Sequence, residues 1–196
     1  MLAKEKILSL GKKQNGIITT KMVSDKGLSR KALSQLENEE KIIRVERGVY
    51  VMDFGYVDDY FLLQHRFPQG IFSHETALYL LGYSDRVPLQ IQMTFPLGFN
   101  TLRAKDAGIQ PIISTQDVEA GITSIERSGG TTVNVFEIER TLIDLLKPKY
   151  EADKEQLIPA LKQYVRSKDK NVTKLMDYAR MFNMEKKVLQ YLEVLL

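Results

Sequence analysis

The residues best placed to do chemistry lie in one short stretch: Ser29, Arg30, Lys31, Ser34, Gln35 and Asn38. Between them Ala32, Leu33 and Leu36 recur at helical spacing, so a helix here buries the apolar set and presents the polar set opposite. Arg and Lys pair with guanine edges or phosphates, and Gln and Asn pair with adenine. Ser29 is the expected N-cap, and the free amides of the first turn attract a phosphate. Such a helix suits a DNA groove. Glu37, Glu39 and Glu40 cluster at its end and must point away from the duplex for that use. An ordinary solvated helix, or a protein-binding module, has the same pattern.

Two other groupings hold reactive residue types. Ser73-His74-Glu75 has the types of a hydrolase triad, but a triad draws its members from separate elements. Ser73 is therefore expected to cap a helix, with Glu75 in its first turn. Arg140 and Asp144 stand at i and i+4 and are spaced to pair, while Ile138, Leu142, Leu145 and Leu146 supply the core side of that helix. His65 and His74 are the only histidines and there is no cysteine, so neither a transition-metal site nor a cofactor is expected. A metal-dependent nuclease is the enzymatic alternative, but the best central strand offers Gln90 and Gln92 where acidic residues are needed. The chain is not expected to be an enzyme.

The elements around the first stretch give it a setting. An apolar face of Leu2, Ile7, Leu8 and Leu10 predicts a helix stopped by Gly11. After a polar loop over Lys12–Gly16, Ile17-Ile18 form an extended entry. Thr19 or Thr20 caps a brief second helix that Gly27 ends. Leu28, just before the third helix, is a staple candidate. Residues 42–51 hold β-branched residues around Gly48, which predicts a hairpin. Three helices and a two-stranded wing make a winged helix-turn-helix over residues 1–52, with Asp53–Val57 as junction. On it Arg44 is expected to grip the DNA backbone and Arg47 to probe the minor groove. Lys12, Lys13 and Lys21 are placed for phosphate contacts, and Thr20 is a further DNA-binding candidate.

Residues 57–196 read as mixed α and β with a small sheet and a helical C-terminus, so the fold class is α+β. Helices are expected at about Asp58–His65, Ser73–Leu81, Glu137–Leu146, Asp153–Arg166 with a break near Pro159, Val172–Ala179 and Met184–Leu196. Asn171 and Asn183 are the expected caps of the last two. Ile91–Phe95 alternates as a half-buried strand, and Pro111-Ile112-Ile113 is a short one. Ser128-Gly129-Gly130 turns a hairpin of 122–126 and 131–136.

Charge is divided unevenly. Residues 1–52 hold 11 Lys/Arg against 6 Asp/Glu, a net +5, and the remainder holds 17 against 19, a net −2. A basic segment on a near-neutral body suits a polyanion, although lysines also solvate small domains. No apolar run approaches the ~20 residues of a membrane span, and no signal-peptide core is evident. A cytoplasmic protein without a membrane partner is expected.

The run Gly27-Leu28-Ser29-Arg30-Lys31-Ala32-Leu33, continuing to residues 42–50, resembles the N-terminal domain of AbiEi-type antitoxins of bacterial abortive-infection, or type IV, toxin–antitoxin systems. Phe72-Ser73-His74-Glu75-Thr76-Ala77 and residues 139–146 are similar to segments of that family's second domain. The resemblance implies autorepression through double-stranded promoter DNA with inverted repeats. It also implies that residues 57–196 form an antitoxin domain countering a nucleotidyltransferase-like toxin. No residue pattern here suggests how.

Overall fold

A computed structural model describes residues 3–115, 117–127, 130–150 and 152–195. Leu2, Ser128, Gly129 and Leu196 of the expected elements lie outside these. The chain is mixed α and β and divides into two compact units: residues 1–68 with 126–133, and residues 69–125 with 134–196.

The first unit runs α1 (Ala3–Lys13), β1 (Ile17–Thr19), α2 (Thr20–Asp25), α3 (Lys31–Asn38), β2 (Ile43–Glu46), β3 (Val49–Val51) and α4 (Asp59–Arg66). Helix α1 does not stop at Gly11. The glycine is buried within it because a Cβ there would stand 2.8 Å from the Ile18 side chain and 2.9 Å from Met52 Sδ. It is a close-packing residue. Thr19 caps α2, accepting from the Met22 amide at 3.2 Å. Gly27 ends α2 with φ at +65°, and Leu28 then bonds back to the Val23 carbonyl at 2.9 Å. Ala32, Leu33 and Leu36 of α3 join Ile7, Ile18, Val23, Ile42, Tyr50 and Met52 in one core, as their spacing requires.

The expected two-stranded hairpin has a third member. The extended entry at 17–19 pairs antiparallel with β3, Ile18 opposite Tyr50, and the sheet order is β1-β3-β2. Its other face buries Ile17, Val49 and Val51 against Val57, Phe61 and Leu62 around α4. Gly48, at φ +83°, closes the β2–β3 turn and passes its carbonyl to the Thr20 amide at 2.9 Å. A Cβ on Gly48 would lie 2.8 Å from Thr20 Oγ1. Gly48→Ala is therefore expected to cost about 1–3 kcal/mol through left-handed strain alone. Urea unfolding measures it, and a loss under a few tenths would show that the turn relaxes.

The second unit carries β4 (Ile71–Phe72), α5 (His74–Leu80), β5 (Ile91–Pro96), α6 (Leu102–Asp106), β6 (Ile109–Ser114), β7 (Ile122–Arg127), β8 (Thr131–Phe136) and α7 (Ile138–Leu146). It ends in α8 (Lys154–Arg166), α9 (Val172–Met181) and α10 (Glu185–Leu195). The sheet order is β6-β5-β4-β8-β7, with residues 126–133 of the last two strands grouped in the first unit. β4 is antiparallel to β5 and parallel to β8, and β5 is parallel to β6. Leu142, Ile143, Leu145 and Leu146 of α7 centre an all-helical core with Leu157, Leu161, Tyr164, Leu175 and Val188.

Two expectations here are corrected. Helix α8 runs unbroken through Pro159. The proline removes one helical bond, and it lies on the exposed side of the helix. Asn183 does not cap α10. It terminates α9 at φ +57°, with its amide on the Arg180 carbonyl and the Met184 amide on that of Ala179 at 2.7 Å. Asn171 does cap α9, accepting from the Lys174 amide at 2.9 Å.

Candidate nucleic-acid interface

The basic candidates lie on the surface of the first unit. Lys31, Ser34, Gln35 and Asn38 are exposed along one side of α3 while Ala32, Leu33 and Leu36 are buried behind them. Arg30, and not Ser29, occupies the N-cap position, and no side chain caps it there. Ser29 still contributes, because its Oγ accepts from the Lys31 amide at 3.3 Å. Arg30 itself already has helical backbone angles, φ −62° and ψ −24°, so the side chain that caps the first turn is that of Ser29. Its Nε donates to Ser24 Oγ at 2.9 Å, and that hydroxyl donates to the Thr20 carbonyl at 2.9 Å. This chain ties the base of the Arg30 guanidinium to α2.

The hairpin supplies the rest. Arg44 and Arg47 are exposed; Arg44 Nε reaches the Glu46 carbonyl at 3.4 Å, and the Arg47 amide donates to Glu46 Oε1 at 2.8 Å. Lys21 is exposed on α2, whereas Thr20 is half-buried beneath Gly48. Of the glutamates that oppose an anion here, Glu39 forms an ion pair with Lys4 of α1. Glu40 lies past the helix end at φ +54°, and Glu37 is half-buried. The acidic cluster is thus split among three settings. What remains on α3 between residues 30 and 36 is cationic or neutral, an arrangement able to hold phosphates and base edges together.

Ser73, His74 and Glu75 do not assemble into a triad. Ser73 holds the N-cap position of α5, but its hydroxyl does not cap: it accepts from Thr94 Oγ1 at 2.8 Å. The capping falls to Gln92 of β5, whose Oε1 takes the Glu75 amide at 2.9 Å. His74 is buried at φ +53°, edge-on to the Tyr150 ring at 4.3 Å, and neither ring nitrogen has a hydrogen-bond partner among the described residues. Burial pushes its pKa down to about 4, against the opposing pull of Asp144.

Arg140 and Asp144 pair as their spacing requires, at 2.9 Å, but inside the protein. Lys147 joins Asp144 at 2.6 Å, and burial lowers the Lys147 pKa against Asp144's attraction. Arg140 also donates to the Ala120 and Asp117 carbonyls at 2.9 and 3.2 Å and lies over the rings of Phe136 and Phe182. Glu139 accepts from the Tyr164 hydroxyl at 3.1 Å. These residues fasten α7, the 117–120 segment and α8, which is structural work. No group of three or more His, Cys, Asp or Glu among the described residues is arranged to hold a metal. No helix described is long and apolar enough to cross a membrane.

Comparison with known proteins adds three findings. Residues 5–52 match the model of a family described as transcriptional regulator, AbiEi antitoxin, which bears out the resemblance over that segment. The fold is similar to that of the RV2827C protein from Mycobacterium tuberculosis, at 14% identity with a TM-score of 0.56, over 91% of this chain and 71% of that one. No curated protein matches.

Proposed function

We propose that this chain, with a segment of the AbiEi antitoxin regulators at residues 5–52, is the antitoxin and autorepressor of an abortive-infection toxin–antitoxin operon. The match to a regulator family carries the proposal. The order helix, strand, helix, helix, strand, strand with sheet β1-β3-β2 supports reading residues 1–52 as a winged helix-turn-helix. In this reading α3 enters the major groove of double-stranded promoter DNA. Arg30, Lys31, Ser34 and Gln35 face bases and phosphates. Ser29, Thr20 and Lys21 meet the backbone, and Arg44 and Arg47 extend from the wing. Two copies on inverted repeats occlude the promoter. Residues 57–196 form the antitoxin domain, acting in the cytoplasm against a nucleotidyltransferase-like toxin without catalysing a reaction.

A mobility-shift assay with upstream DNA tests the first half. Arg30→Ala with Lys31→Ala is expected to weaken specific binding strongly, since each good base contact is worth about 1–3 kcal/mol. Affinity should fall steeply with salt, at a slope of roughly −0.9 per neutralised phosphate, and Arg44→Ala should flatten it by about one unit. Unchanged affinity in a double variant of normal helicity would remove α3 from the groove. The same variant should still rescue cells from the toxin, because it leaves residues 57–196 intact. Ile43 and Val45, 61% and 41% exposed on β2, favour a second reading in which the hairpin docks a protein. Absence of any shift, with a protein captured through β2, would select that reading.

A further inference from the structure

Within the first unit, a cleft of about 270 Å³ opens between the β1–α2 corner, α4 and the start of β8. Ile17, Met22 and Phe61 are its apolar lining, and Gln14, Lys21, His65 and Thr132 are among its polar lining. No carboxylate of the described residues lines it. Lys21 has no acidic partner, and the His65 ring no hydrogen-bond partner, among the described residues. An ammonium, an imidazole, an amide and a hydroxyl sharing one cleft with apolar side chains is the chemistry that receives a small organic anion with an apolar body. The volume is small for a ligand pocket, which limits that body to about one ring. A flat ring suits the Phe61 face.

We infer that this cleft binds a small aromatic carboxylate, its carboxylate on Lys21 and its ring against Phe61. A bound carboxylate neutralises Lys21, which also belongs to the proposed DNA surface, so the ligand acts as an effector that weakens operator binding. That consequence rests on the DNA-binding reading. The binding itself does not.

The test is a titration of the isotope-labelled full chain, followed by amide NMR, with benzoate and with benzamide as the uncharged control at constant ionic strength. Saturable shifts are expected at residues 17–22, 61–65 and 130–132. Benzamide should bind at least tenfold more weakly, and Lys21→Met should abolish the difference. Equal binding of the two compounds, non-saturating shifts, or shifts confined to other regions would overturn the site. In a mobility shift, saturating benzoate should lower operator affinity severalfold relative to chloride at equal ionic strength, and leave Lys21→Met unaffected. An unchanged wild-type affinity overturns the effector role. A protein that never shifts the duplex defeats the DNA reading instead, and the titration still judges the site.

Discussion

Asp144→Ala is expected to destabilise the protein by about 3–5 kcal/mol, the range for removing one partner of a buried ion pair. Among the described residues, Asp144 is the single carboxylate that Arg140 Nε and Lys147 Nζ both contact, at 2.9 and 2.6 Å. Arg140 is only 1% exposed and cannot rotate into water. Its remaining partners, two carbonyls and the rings of Phe136 and Phe182, disperse a cation without neutralising it. Asp144→Asn should cost less, since an amide oxygen still accepts one bond. Urea unfolding followed by circular dichroism gives both numbers. A loss below 1 kcal/mol for the alanine variant would mean that water reaches Arg140 in solution.

The second large effect is a dependence on pH centred on His74. Its pKa falls from 6.5 in the unfolded chain to about 4 in the fold. The unfolded state therefore binds the proton first as pH drops. Stability is intact above pH 6.5 and declines as pH falls through 4, by about 3 kcal/mol in all at 1.36 kcal/mol per unit. Arg140, Lys147 and Lys149 add to the penalty for a cation there, and Asp144 offsets part of it. His74→Asn keeps a residue that tolerates the +53° φ and removes the titration. The gap in stability between wild type and variant should shift by that amount between pH 7 and pH 4, in the variant's favour. Parallel pH profiles would show that the imidazole is hydrated in the native state.

What the sequence determined by itself is what neighbouring residues decide among themselves. The burial of Leu33 and Leu36 beneath exposed Lys31, Ser34 and Gln35 follows from helical spacing. So do the Asn171 cap, the end of α2 at Gly27 and the Arg140–Asp144 pair, because each needs only residues within about one turn. The chemistry of a basic, amide-bearing surface was legible for the same reason. Tertiary structure decided wherever a distant residue sets the outcome. Gly11 lies inside a helix and does not end it, and it is glycine because Ile18 and Met52 leave no room for a Cβ. Residues 17–19 become a strand because β3 offers an edge thirty residues on. Ser73 loses its capping role to Gln92 because Thr94 claims its hydroxyl. The cleft joins residues 14–22, 61–65 and 130–132, three segments with no shared period or motif. Local periodicity carries the sign of a residue's environment, buried or exposed, whereas the partner it meets there is fixed by the path of the whole chain.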